Sequence, residues 1–246
     1  MSNKRILISL AFLFLFNSVS FKSKGQDQST VVSKLLEGLG GENSLSEARY
    51  IMFSYVNENQ LKIKKERTYL YDWQKKDCRF EGETKDGDAI TALFNAQSGE
   101  GKLYINDEMS QNPELLNSII ELFSEDSYLL FTPILIANKN LNPLVKDPVI
   151  LNLKRYYILE VNTADQNNDY EFAKLYIDSQ TGIINRWQIF NKNREKIHEI
   201  LASKIKDIGG GLTLATQFSD KIRGTIIQYP IVAALLNVEI SKFKNL

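Results

Sequence analysis

Apolar and polar residues alternate along most of this chain in short runs separated by clusters of Asn, Asp and Gly, a pattern that predicts antiparallel β structure. Strands are predicted over Tyr50 to Val56 and Leu61 to Trp73, with Asn57-Glu58-Asn59 as the turn between them. Cys78 to Thr84 and Ala89 to Ala96 follow, separated by Lys85-Asp86-Gly87-Asp88, and then a short Leu103 to Ile105. After a break, strands resume over Val149 to Asn162 and Tyr170 to Ile177. Asp178-Ser179-Gln180-Thr181-Gly182 reads as a tight hairpin loop, and Ile183 to Phe190 returns from it. Glu195 to Lys206, Leu212 to Phe218 and Val232 to Phe243 complete the series, with Gly209-Gly210-Gly211 marking one more turn. The expectation is a meander of about ten strands with no linker and no internal repeat.

Two segments carry a helical period instead. In residues 29–41, Val32, Leu35, Leu36 and Leu39 recur at helical spacing, with Ser29 or Thr30 as cap and Gly40-Gly41 as the stop. Asn112-Pro113 is a helix start, followed by Leu115, Leu116, Ile119, Ile120 and Phe123. Ser124, Glu125 and Asp126 then break the apolar run, which continues from Tyr128 to Ile136 with Pro133 inside it. Residues 113–138 are therefore expected to be two short helices inserted in mid-sheet, giving an α+β chain.

The first residues change the picture of where this sheet works. Lys4 and Arg5 precede an apolar run from Ile6 to Phe16, interrupted only by Ser9, and a largely small and polar stretch ending at Gly25. That order is the secretory signal pattern, and the run is too short to span a bilayer. Cleavage is expected after Gly25, with Ser20 as an alternative. This gives a signal peptide over 1–25 and one folded domain over 26–246, placed in the periplasm, with secretion as the alternative. The single cysteine, Cys78, excludes an internal disulfide, and its position excludes a lipid anchor at the cleavage point. Cleavage removes four of the 30 basic residues and none of the 30 acidic ones, leaving a net charge of −4. A mildly acidic chain without a basic stripe is a poor partner for nucleic acid or an anionic membrane.

Candidate chemistry is sparse. His198 is the only histidine and falls within a strand, so it reads as a surface or hydrogen-bonded residue and not as a ligand or base. Asp165-Gln166-Asn167-Asn168-Asp169 begins like a calcium loop, but Tyr170 and Tyr176 stand where Gly and Glu are needed. Gly38, Gly40 and Gly41 end a helix, so they are no phosphate loop. Lys62, Lys64, Lys65 and Arg67 read as a solvated strand face. Nothing selects a catalytic pair from Asp77, Glu81, Glu83, Asp86 and Asp88. The chain is read as a non-enzyme without metal or cofactor.

Aromatic placement is more informative. Tyr69, Tyr71 and Trp73 share one face of their strand, and Trp187 adds a fourth ring. A sheet apolar on one face needs a cover, and the two helical segments can supply it. The candidate ligand-binding residues are Tyr69, Tyr71, Trp73 and Trp187 of the sheet, with Leu116, Ile119, Ile120, Phe123 and Leu130 of the helical insertion.

The segment from Tyr176 to Trp187 (YIDSQTGIINRW) looks like the "ID-x-x-TG-hydrophobic" hairpin recurrent in the LolA/LolB-like superfamily of lipoprotein carriers, and the order of elements over residues 29–243 resembles it too. The chain is also similar to an uncharacterised family of exported bacterial proteins with Gly-Gly after the first helix. The resemblance implies an open, curved antiparallel half-barrel covered by an N-terminal helix and a mid-chain helical lid. It implies binding of lipid or acyl chains in the concave face. Two other functions remain open: an envelope protein–protein interaction module, and an enzyme of unknown reaction.

Overall fold

In a computed structural model, which describes residues 27–56, 66–162 and 170–246, the alternating runs become fourteen strands of one antiparallel sheet. The expected signal peptide, the turn at 57–59, the first residues of the strand expected from Leu61, and the loop at 165–169 lie outside the described residues.

Two meanders build the sheet. The first comprises β1 (Tyr50–Val56), β2 (Glu66–Asp72), β3 (Asp77–Glu83), β4 (Ala89–Asn95), β5 (Gly101–Ile105) and β6 (Glu108–Ser110). The second comprises β7 (Leu144–Leu151), β8 (Lys154–Asn162), β9 (Tyr170–Asp178), β10 (Ile184–Asn191), β11 (Lys196–Asp207), β12 (Thr213–Asp220) and β13 (Ile226–Gln228). They join where Val56 of β1 faces Gln228 of β13, and β14 (Val232–Leu235) pairs along the rest of β1. The sheet thus runs from β6 through β1 and β13 to β7 without closing, as an open half-barrel.

This topology dictates the position of the long helix. The edges β6 and β7 are consecutive in sequence apart from α3 (Pro113–Ala137), so α3 must carry the chain from one edge to the other. At 1.5 Å per residue its length is about 37 Å, enough to cross the sheet. It crosses on the concave side, touching β4 and β5 at one end and β12 and α1 (Gln28–Gly38) further along. Alternate strand residues point at it: Ile51 and Phe53 from β1, Phe80 from β3, Ala92 from β4, Leu175 from β9 and Leu214 from β12 are all buried in one core.

Several sequence expectations need correction. The segment expected as two helices over 113–138 forms one, Pro113–Ala137, because Ser124, Glu125 and Asp126 keep the helical period and Pro133 lies near its end. The run read as one strand from Val149 to Asn162 is a hairpin: Asn152 and Leu153 take φ of 50° and 64° in a two-residue turn. The apolar Leu153, 99% exposed, disguises that turn. Strands β6 and β13 have only three residues each and leave no periodic signal. After β14, the segment expected as strand to Phe243 becomes a 3₁₀ turn over Ile240–Phe243. Phe243 stacks on Tyr50 at 5.9 Å, and Arg79 donates to the Lys242 and Asn245 carbonyls, so this turn covers the outer face of β1 and β3. Asp27, and not Ser29 or Thr30, caps α1. Gly40-Gly41 leads into a second helix, α2 (Gly41–Glu47), which buries Leu45 alone and so shows no apolar stripe.

Helix α1 rests on the Asp178–Gly182 hairpin through two glycines. A Cβ on Gly38 would lie 2.4 Å from the Gly182 carbonyl carbon, and one on Gly182 would lie 2.0 Å from the Lys34 carbonyl oxygen. Gly182 also has φ of +75°. Gly41 has φ of +89° with nothing within 4 Å of its would-be Cβ. Gly41→Ala is expected to cost about 1–2 kcal/mol of strain, whereas Gly182→Ala adds a backbone clash and should cost about 3 kcal/mol. Urea unfolding of both variants measures the difference, which equal losses would disprove.

Candidate functional site

The strongest concentration of side chains lies where β1 and β2 face α3. Cross-strand pairing sets Phe53 opposite Tyr69, Ile51 opposite Tyr71 and Tyr55 opposite Arg67, all on the concave face. Phe53 and Tyr69 stack at 4.8 Å. From α3, Phe123 approaches Tyr71 at 5.0 Å, Tyr69 at 5.6 Å and Phe94 at 5.8 Å. Phe131, two turns further on, meets Trp73 at 5.0 Å and Phe53 at 5.5 Å. Four sequence candidates, Tyr69, Tyr71, Trp73 and Phe123, therefore share one aromatic cluster. Ile119 is fully buried on the same helix, while Leu116 and Ile120 are half-buried and pack against the core.

Trp187 and Leu130 belong to a different region. Trp187 packs on Phe218 at 5.3 Å, away from the β2 rings. Together with Leu130 it lines a narrow crevice between α1, α3, β10 and β12, with a free volume of about 20 Å³. That is room for a water-sized group and not for an acyl chain.

At the centre of the aromatic cluster is a buried ion pair that the sequence reading missed. Arg67 donates from Nε and Nη2 to the two carboxylate oxygens of Asp126 at 2.7 and 2.8 Å, and neither side chain has any exposure. The Tyr69 hydroxyl donates to the same carboxylate at 2.6 Å, and the Tyr229 hydroxyl donates to the Asp126 backbone carbonyl at 2.6 Å. The remaining guanidinium nitrogen, Nη1, has no acceptor among the described residues, and the group lies over the Tyr55 ring at 4.9 Å. Burial pushes the Asp126 carboxyl above its ordinary range, against the hydrogen bonds and charge of Arg67 and the Tyr69 hydroxyl. Burial opposes the charge on Arg67 too, but the Asp126 carboxylate outweighs it and holds the guanidinium protonated. Tyr69 and Tyr229 are pushed far above the usual phenol range, chiefly by burial, and so remain donors. The arrangement ties sheet to helix at one point: β2 supplies Arg67 and Tyr69, and α3 supplies Asp126.

Arg67 is thus no part of a solvated strand face; Lys62, Lys64 and Lys65 lie outside the described residues. Two signals were available. Arg67 alternates in phase with Tyr69 and Tyr71, and Asp126 falls on the helical stripe of Ile119, Phe123 and Leu130. A charge in phase with an apolar stripe is a charge that folding buries, and two of opposite sign can pair.

Elsewhere, polar groups are engaged in holding turns and strands. His198 is buried and its Nδ1 meets Asp220, which also accepts from the Ile222 and Arg223 backbone N–H groups. Burial pushes the Asp220 carboxyl up, but these hydrogen bonds and His198 hold it below the usual carboxylate range. Asp77, Glu81 and Asp88 are bonded by Asn95, Arg79 and Asn106 respectively. Burial pushes the Cys78 thiol far up, away from the reactive thiolate. Among the described residues no cluster of three His, Cys, Asp or Glu could hold a metal, and no helix is long and apolar enough to cross a membrane.

No family model matches the chain, and no curated protein matches it. Solved structures do. A DUF1329 family protein from Desulfovibrio piger shares the fold at a TM-score of 0.51, with 11% identity over 87% of this chain and 96% of that one. A putative outer membrane lipoprotein-sorting protein domain from Vibrio parahaemolyticus reaches 0.48, with 9% identity over 88% and 97%. A LolA superfamily protein from Nitrosomonas europaea reaches 0.46, with 12% identity over 87% and 97%. At such identities the likeness is one of fold alone. The fold shared with the Desulfovibrio piger protein is an open antiparallel half-barrel with N-terminal and mid-chain helices, the architecture that the sequence leads one to expect.

Proposed function

We propose that this protein is a non-catalytic periplasmic carrier or sensor that holds an apolar ligand, a lipid or acyl chain, between the concave sheet and α3. One observation carries the reading: a single helix crosses the apolar, aromatic face of an open sheet from edge to edge, fastened to the sheet by the Arg67–Asp126 contact. An open sheet with a separable cover can exchange its own rings for a ligand of similar chemistry, because apolar burial is non-directional. The crevice is too small for such a ligand in this closed arrangement. Binding therefore requires α3 to move away from β2, as expected for a lid. Tyr69, Tyr71, Trp73 and Phe123 would then line the chamber, with Leu116, Ile119, Ile120 and Leu130 on its helical wall and Trp187 beyond. The export pattern in residues 1–25 supports the compartment.

The test is extraction of gently purified protein with organic solvent, followed by mass spectrometry of the extract. A stoichiometric acyl-chain compound is expected. An extract without one, from folded protein, would overturn the carrier reading and favour an envelope protein as the partner.

A further inference from the structure

The crevice beside Trp187 holds a buried donor that the protein does not use, as the aromatic cluster does at Arg67 Nη1, but here the donor is neutral and no charged side chain lines the site. Trp187 is 1% exposed, yet its indole Nε1–H has no acceptor among the described residues. An unpaired buried donor is uncommon enough to call for a partner from outside the chain. A backbone acceptor belongs to another lining residue. Pro133 has no N–H, so the carbonyl of Leu129, four residues earlier in α3, lacks its helical donor. Leu129, Pro133 and Trp187 all line the crevice. The other lining residues are apolar or neutral, and none carries a charge.

We infer that this crevice is the polar terminus of the ligand site and takes the uncharged hydroxyl of an amphiphile whose apolar chain runs under α3, an assignment that rests on the carrier reading. A hydroxyl is a small uncharged end group able to satisfy both: its oxygen accepts from Trp187 Nε1–H while its proton goes to the Leu129 carbonyl. In the closed arrangement the crevice has a free volume of about 20 Å³, which has room for a group of that size. An ether oxygen accepts but cannot donate. A carboxylate or phosphate cannot donate either, and it would bring a charge where no lining residue answers it. Gly38 and Gly182 line the crevice on the α1 side, where a Cβ on either would clash with the backbone of the facing segment.

The test is displacement of the apolar fluorophore N-phenyl-naphthylamine from the purified protein by dodecanol, dodecyl methyl ether and dodecanoate at mildly alkaline pH. Dodecanol is expected to displace the probe at about tenfold lower concentration than either of the others, the effect of one well-placed hydrogen-bonding group. Trp187→Phe keeps an aromatic ring and removes the donor; it should erase that preference, read as the ratio of the three displacing concentrations on the same variant. Pro133→Ala returns an N–H to the Leu129 carbonyl and should shrink the advantage of dodecanol over the ether, which keeps the proposal testable even where Trp187→Phe does not fold. Equal displacement by all three compounds would overturn the hydroxyl assignment and leave a carrier with a purely apolar site. Failure of the wild-type protein to bind the probe at all would instead remove the carrier reading, and this assignment with it.

Discussion

Asp126→Ala is expected to cost about 3–5 kcal/mol of folding stability, because it strands a fully buried Arg67 without its counter-charge. The loss should far exceed that of Arg67→Met with Asp126→Leu, in which both charges are replaced by apolar groups of similar bulk. That double variant is expected to be near wild type or more stable, since burying two charges is itself costly and apolar packing recovers much of the difference. Urea denaturation of the wild type, Arg67→Met, Asp126→Leu and the double variant resolves the coupling between the residues. If the double variant loses the sum of the two single losses, the pair does not act as a unit. A stable double variant also separates folding from function: with its point of attachment gone, α3 should open more readily, and probe binding should become faster.

The second large effect is expected at Phe123. Its ring contacts Tyr69, Tyr71, Phe94, Phe131 and Phe53 with centroids 5.0 to 6.5 Å apart, so Phe123→Ala leaves a cavity bordered by five rings. A loss of about 3–5 kcal/mol is expected in urea or thermal unfolding. Leu116→Ala, half-buried on the same helix, should cost about 1 kcal/mol. Near-equal losses would show that α3 packs less tightly against β2 than its ring contacts indicate. The contrast also guides ligand experiments. Substitutions at Phe123 damage the fold along with the site, so Leu116 and Ile120 are the positions where ligand retention can change while the protein stays folded.

Both effects depend on contacts of different legibility. Phe123 stood out in the sequence because it extends the stripe of Leu115, Leu116, Ile119 and Ile120, and helical periodicity is a local property. Tyr69, Tyr71 and Trp73 were legible for the same reason, as alternation along one strand. In sequence, Asp126 looks like a break in that stripe, and Arg67 like one of several solvated cations. Each reading was sound for an isolated segment, where water would keep either charge on the surface. Phe131 escaped notice because it lies in an apolar run with no polar face to set it apart. Trp187 was recognised as an apolar ring, but its place beside α1, away from β2, follows from the order of strands in the sheet.

By itself the sequence determined the β character of the chain, the two helical segments, the hairpin at Asp178–Gly182 and the apolar identity of the residues under α3. These follow from interactions between residues close in sequence: alternation, capping and the φ preference of glycine. Only the tertiary structure decided that the two meanders join through β1 and β13, placing β6 and β7 at opposite edges and stretching α3 across the concave face. It also decided that Arg67 and Asp126, 59 residues apart, meet in a dry interior. Whether a charge is solvated or paired depends on which surfaces come together, and that is settled by the collective burial of apolar area over the whole sheet.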